Sequence, residues 1–115
     1  MDLETLRAYC LSKPWVEETL PFGPDALVFK VLGKVFAITD LNANVIKVNL
    51  KCDPDYALEI REVYDDIEAG FHMNKKHWNT VDLQGSLKAS FIKELIDHSY
   101  DLVLAKVPGK KKPKG

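Results

Sequence analysis

Apolar and polar positions alternate along the middle of the chain with a period of two. Leu27, Phe29 and Val31 fall on one side of an extended run, with Lys30 on the other. The same rule puts Ile46, Val48 and Leu50 opposite Lys47, Asn49 and Lys51. Residues 26–32 and 34–39 read as two strands joined at Gly33, a connection short enough for a hairpin. A loop over 40–44 leads to a third strand over 45–51, and residues 15–20 form a short strand ahead of a turn at Phe22-Gly23-Pro24-Asp25. Elsewhere the period is helical. Asp2 caps a first helix with Leu3, Leu6 and Cys10 on its apolar face and Tyr9 alongside; Pro14 ends it. Asp53-Pro54 joins an N-cap to a proline at the first helical position. Tyr56, Ile60, Val63, Tyr64 and Ile67 then follow at helical spacing, opposite Asp55, Glu59, Glu62, Asp65 and Asp66, and Gly70 closes the unit. Residues 77–83 read as a strand ending at Gln84-Gly85. Ser86 opens a last helix whose buried stripe is Ile92, Leu95, Ile96, Ser99 and Val103.

These elements predict an α+β domain, an antiparallel sheet with helices packed on one face; the expected order is roughly α-β-β-β-β-α-β-β-α, with one more strand after the second helix than the runs named above. With 115 residues and 46% hydrophobic content, one core is enough without disulfides or metal. A single domain is expected over residues 1–108, followed by a lysine-rich flexible tail over 109–115. The two cysteines, Cys10 and Cys52, match no metal pattern and read as buried small apolar residues. No apolar run is long enough to span a bilayer and the Met-Asp-Leu-Glu start is acidic, so a cytoplasmic protein is expected.

Charge changes the picture more than composition does. The formal net charge is -1, but Lys110, Lys111, Lys112 and Lys114 supply four of the 16 basic residues. Residues 1–109 therefore hold 12 basic against all 17 acidic residues, a net of -5. An acidic body opposes strong non-specific attraction to nucleic acid.

Candidate chemistry concentrates in residues 70–81, Gly-Phe-His-Met-Asn-Lys-Lys-His-Trp-Asn-Thr-Val. Lys75 and Lys76 offer phosphate partners, Asn74, His77 and Asn79 offer polar contacts, and Trp78 offers a ring that stacks or covers the core. His72 and His77 lie five residues apart across an irregular segment, which fits neither a helical metal pair nor a zinc-finger spacing. No serine has a glycine-flanked elbow, and Ser99 lies in a core stripe. No cofactor, metal or catalytic group is expected.

Three strings, residues 22–31, 70–81 and 96–103, resemble the MmcQ/YjbR family of small bacterial proteins, and the likeness runs from about Leu3 to Pro108. Two positions depart from the family pattern: Ala69, where proline is frequent, and Gln84, where an acidic residue is usual. The resemblance implies a bacterial frataxin-like (CyaY-like) fold. It also implies DNA binding through a two-winged arrangement of β-hairpins, here around Gly33 and around Lys75-Lys76, with Lys30, Lys47 and Lys51 extending the basic surface. A monomer is expected. The alternative is a binding module for a small anionic molecule or protein partner that uses the same segment beside Phe22 and Lys30.

Overall fold

The computed structural model describes residues 1–70, 73–109 and 112. Among the described residues nine elements follow one another as α1 (Leu3–Leu11), β1 (Val16–Thr19), β2 (Ala26–Val31), β3 (Lys34–Asp40), β4 (Lys47–Lys51), α2 (Pro54–Val63), β5 (Ile67–Ala69), β6 (Trp78–Asp82) and α3 (Ala89–Ala105). The order is the one predicted. The strands form one six-stranded sheet, β1-β2-β3-β4-β6-β5, with every neighbouring pair antiparallel.

Pairing fixes the two faces. Leu27, Phe29, Val48, Leu50, Ile67 and Val81 point to one side and are buried with Leu6, Cys10, Ala57, Ile60, Ile92 and Ile96 from the three helices. The whole predicted stripe of α3, Ile92, Leu95, Ile96, Ser99 and Val103, is inside. Val28, Ile38, Lys47, Asn49 and Thr80 fall on the opposite side, away from the helix residues of the core cluster.

Two backbone features shape the β2–β3 ribbon. Its connection is the pair Leu32 (φ 48°) and Gly33 (φ 85°), both left-handed as a two-residue primed turn requires. Glycine adopts that region freely. Leucine does so at a cost of about 1–2 kcal/mol, and the Leu32 side chain packs against the core. Farther along, Phe29 pairs with Ala37 while Lys30 pairs with Val35, so Phe36 is an extra residue in β3. Its carbonyl accepts from Ser99 Oγ (2.6 Å), and that hydroxyl oxygen in turn accepts from Lys51 N (2.9 Å). The serine in the core stripe therefore ties the bulge and the end of β4 to α3 and leaves neither backbone group unpaired.

The caps at Asp2 and Asp53 form as read: Asp2 Oδ1 accepts from Thr5 N (2.7 Å) and Asp53 Oδ2 from Tyr56 N (3.1 Å). Helix α2 is shorter than its periodicity predicts. It stops at Val63, which is 67% exposed, and Ile67 reaches the core from strand β5 instead. Asp66 explains the switch. Its carbonyl accepts from Asp82 N, and its carboxylate accepts from both the backbone and the hydroxyl of Ser86, bonds that a helical Asp66 would lose. Ser86 is occupied there, so α3 begins later, at Ala89. Gly85 lets the Asp66 carboxylate lie against the backbone here, since a Cβ would overlap that carboxylate and displace it. Gln84 has a role of its own, its Oε1 accepting from Ile46 N (2.9 Å).

Candidate nucleic-acid interface

Antiparallel topology sorts the charged residues by end. The β2–β3 turn, the last residue of β4 and the loop between β5 and β6 share one end of the sheet. That end carries Lys30, Lys34, Lys51, Lys75 and Lys76, together with Lys106 at the close of α3. The other end carries Asp25, Asp40, Asp65, Asp66 and Asp82 at strand starts and finishes, with Glu68 in the short edge strand.

Lys34, Lys51 and Lys106 converge. With Val35 and Val103 they line one groove of about 260 Å³. Desolvation holds the Lys51 ammonium below its usual pKa, and the positive charges of Lys106 and Lys34 push the same way. Such mutual repulsion is relieved by an anion. Lys106 follows directly on α3 as its C-cap.

The loop before β6 is anchored from beneath. Arg61 on α2 donates from Nε to Asn79 Oδ1 (2.6 Å), and from Nη2 to the carbonyls of Lys75 (2.5 Å) and Trp78 (3.1 Å). Asn74 closes the turn from within. Its Oδ1 accepts from Lys76 N (2.9 Å), and its carbonyl accepts from both His77 N and Trp78 N. Cys52 N donates to the His77 carbonyl (2.8 Å), which fastens the loop to the end of β4. Gly70 lies so close to Trp78 that a Cβ would sit 2.8 Å from the Trp78 Cβ. Lys75 and Lys76 are exposed on this fixed frame, while His77 and Trp78 are half-buried.

Several predicted site residues move. Asn79 is 2% exposed and committed to Arg61, so it is a structural anchor and not a surface contact. Lys47 lies at the acidic end in a groove with Asp65, Asp66, Glu68 and Asp82, apart from the other lysines. Lys30 is half-buried, with Glu17 as its strand partner. His72 lies outside the described residues. Sequence reasoning overlooked Lys34, Lys106 and Arg61. Lys34 could have been found from strand direction, since a β3 start and a β4 end share one end of the sheet; nothing local marks Lys106 or Arg61.

Among the described residues Cys52 and His98 approach each other without catalytic geometry. Cys52 and His98 flank a cavity of only about 10 Å³. His98 Nε2 accepts from Asp53 N (3.1 Å), and burial pushes the Cys52 thiol up to about 11, where no thiolate forms near neutrality. Both cysteines are free and buried. Among the described residues no group of three or more His, Cys, Asp or Glu side chains is placed to hold a metal ion, and no helix is long and apolar enough to cross a membrane.

Comparison with known proteins gives a consistent result. The family model YjbR matches residues 11–102. The uncharacterised protein YbdF of Escherichia coli O157:H7 is 39% identical over 101 residues, covering 88% of this chain and 83% of the relative. The uncharacterised protein YjbR of Escherichia coli K12 is 35% identical over 112 residues, covering 97% and 95%. Among solved structures, a Deinococcus radiodurans protein with the domain DUF419 superposes with a TM-score of 0.88 at 38% identity, covering 95% of this chain and 83% of its own. A Pseudomonas syringae protein superposes with a TM-score of 0.79 at 29% identity, covering 90% and 99%. With the match spanning both hairpins, α2 and nearly all of α3, this chain belongs to the YjbR family.

Proposed function

We propose that the protein binds DNA, without cofactor or catalysis, through the lysine-bearing end of its sheet. The observation that carries this reading is the convergence of Lys34, Lys51 and Lys106 on one groove, at the sheet end that also bears both hairpin connections. The β2–β3 turn and the β5–β6 loop are separated by three strand spacings, about 14 Å, close to the ~12 Å width of the major groove. Lys75 and Lys76 contact phosphates from one connection and Lys34 from the other; Lys51, Lys106 and Lys30 add charge between them. Asn74 supplies a polar contact, and His77 and Trp78 present their exposed edges. The protein acts as a cytoplasmic monomer in this reading.

A small phosphorylated molecule is the second reading, favoured by the concavity of the three-lysine groove. A salt series on a labelled duplex separates the two. Each phosphate neutralised adds about -0.9 to the slope of log K against log salt. K75A/K76A and K34A/K51A are each expected to weaken binding and to lower the slope by about 2. A truncation at Pro108 should still bind. Loss of all binding on truncation, or no binding by the intact chain at low salt, refutes the DNA reading. Full competition by a simple phosphate monoester at millimolar level moves the assignment to the small ligand.

A further inference from the structure

The helix-free face of the sheet holds a second feature that DNA binding leaves unused. Two cavities of about 490 and 620 Å³ lie over it and share Asp40 and Asn49, forming one trough. Each volume lies in the range of small-molecule sites. Ile38 and Asn49 form the floor; Phe22 and Met73 stand at one end of the trough and Val45 and Glu68 at the other. Phe22 is 73% exposed and Val45 41%, so the lip presents apolar surface to water.

Charge selects the occupant. Among the described residues the carboxylates of Asp25, Asp40 and Glu68 line the trough, with the ammonium of Lys47. An anion is therefore repelled, which removes this face from the expected small-anion site beside Phe22. A metal ion is equally unsuited: Asp25 borders one cavity, Glu68 the other and Asp40 both, and among the described residues no group of three ligating side chains is close enough to hold an ion. The separation of the carboxylates and the apolar walls between them suit a larger, organic charge. We infer that the open face of the sheet binds a small organic cation with an apolar or aromatic body, its ring between Phe22 and Ile38 and its charge near Asp40.

Most of the lining lies toward the end of the sheet opposite the lysine groove, with Met73 reaching it from the β5–β6 loop, and the test of this site does not depend on DNA. Benzyltrimethylammonium, benzyl alcohol and benzoate share one ring and differ in charge. Titrated into 15N-labelled protein, the cation is expected to shift the amides of Ile38, Thr39 and Asn49 saturably at about millimolar concentration. The alcohol should bind several-fold more weakly and the benzoate not at all. Asp40→Asn keeps an oxygen for the bond that Asp40 Oδ1 accepts from Asn42 N, and Glu68→Gln keeps the shape of its side chain. Each is expected to weaken the cation about three- to tenfold while leaving the alcohol unchanged. Equal binding of cation and benzoate, shifts confined to other surfaces, or no saturable shift with any probe overturns the inference. An unchanged spectrum of the free variants shows that the comparison concerns binding and not folding.

Discussion

Arg61 supports the loop that presents Lys75 and Lys76, and its removal tests that architecture directly. Arg61→Ala takes away the donors to Asn79 Oδ1, Lys75 O and Trp78 O. The three losses are unequal. The Lys75 carbonyl is at the surface and regains water. The Trp78 carbonyl keeps the bond from Gly70 N. Asn79 Oδ1 belongs to a residue only 2% exposed, and a buried acceptor left bare costs about 1–3 kcal/mol. Adding the lost charge-assisted geometry gives about 2–3 kcal/mol. For a domain of this size that is a fall in Tm of roughly 10 °C. Differential scanning calorimetry reads the shift. Hydrogen exchange reads its location, with the amides of His77 and Trp78, which donate to Asn74 O, exchanging faster than those of β2 and β3. Arg61→Lys keeps the charge without the fork and should recover less than half. In a double-mutant cycle with Asn79→Ala the two losses should be strongly sub-additive. A Tm fall below about 3 °C, or additive losses, would show that the loop stands without this anchor.

Ser99→Ala strands Lys51 N and the Phe36 carbonyl in the core at once and should cost about 2–4 kcal/mol, read as a lowered urea midpoint at unchanged m. Gly85→Ala forces the Asp66 carboxylate off Ser86 and should cost about 1–2 kcal/mol; a neutral result would mean that the Asp66–Ser86 bonds contribute nothing. Alkaline pH should destabilise the fold. Burial pushes the Cys10 thiol up to about 12 and the Cys52 thiol to about 11, while hydrogen bonding to Asp97 together with burial takes the Tyr9 phenol to about 12. The unfolded chain releases these protons first, from about pH 8.5 for cysteine and about pH 10 for tyrosine. Stability is therefore full below about pH 8.5 and falls as pH rises toward the folded values, and urea midpoints at about pH 7.5, 9 and 10 should decline in that order. A flat profile would contradict the burial of both thiols.

The fold was legible in the sequence wherever one physical signal had one structural meaning. Period-two runs bounded by Gly33 and by residues 40–44 gave the ribbon, and Asp53-Pro54 gave the start of α2. Ile67 was ambiguous because it is buried under either reading; the partner that decided between helix and strand, Ser86, is 20 residues away from Asp66. The same limit applies to the site. Segment 74–78 was recognisable from its own residues, but whether Asn79 met solvent or Arg61 depended on a contact across 18 positions. Lys47 and Lys51 belong to one strand and look equivalent by spacing. Five residues of extended chain put them at opposite ends of the sheet, one among carboxylates and the other among lysines.

That separation gives the net charge a different meaning. Strands of five to seven residues are roughly 17–24 Å long. At 0.1 M salt the Debye length is about 10 Å, so the carboxylates of the far end contribute little at the lysine groove, and the acidic body does not forbid phosphate binding there. At 0.01 M the Debye length is about 30 Å and the far carboxylates are felt. The log–log salt dependence should then be straight near physiological salt and flatten below about 0.02 M, as repulsion from the distant acids offsets attraction by the lysines. Neutralising those acids with Asp40→Asn and Asp82→Asn should restore linearity at low salt and leave affinity at 0.15 M within about twofold. If the double substitution instead strengthens binding equally at every salt, the acids act at short range, and DNA contacts the open face and not the end of the sheet.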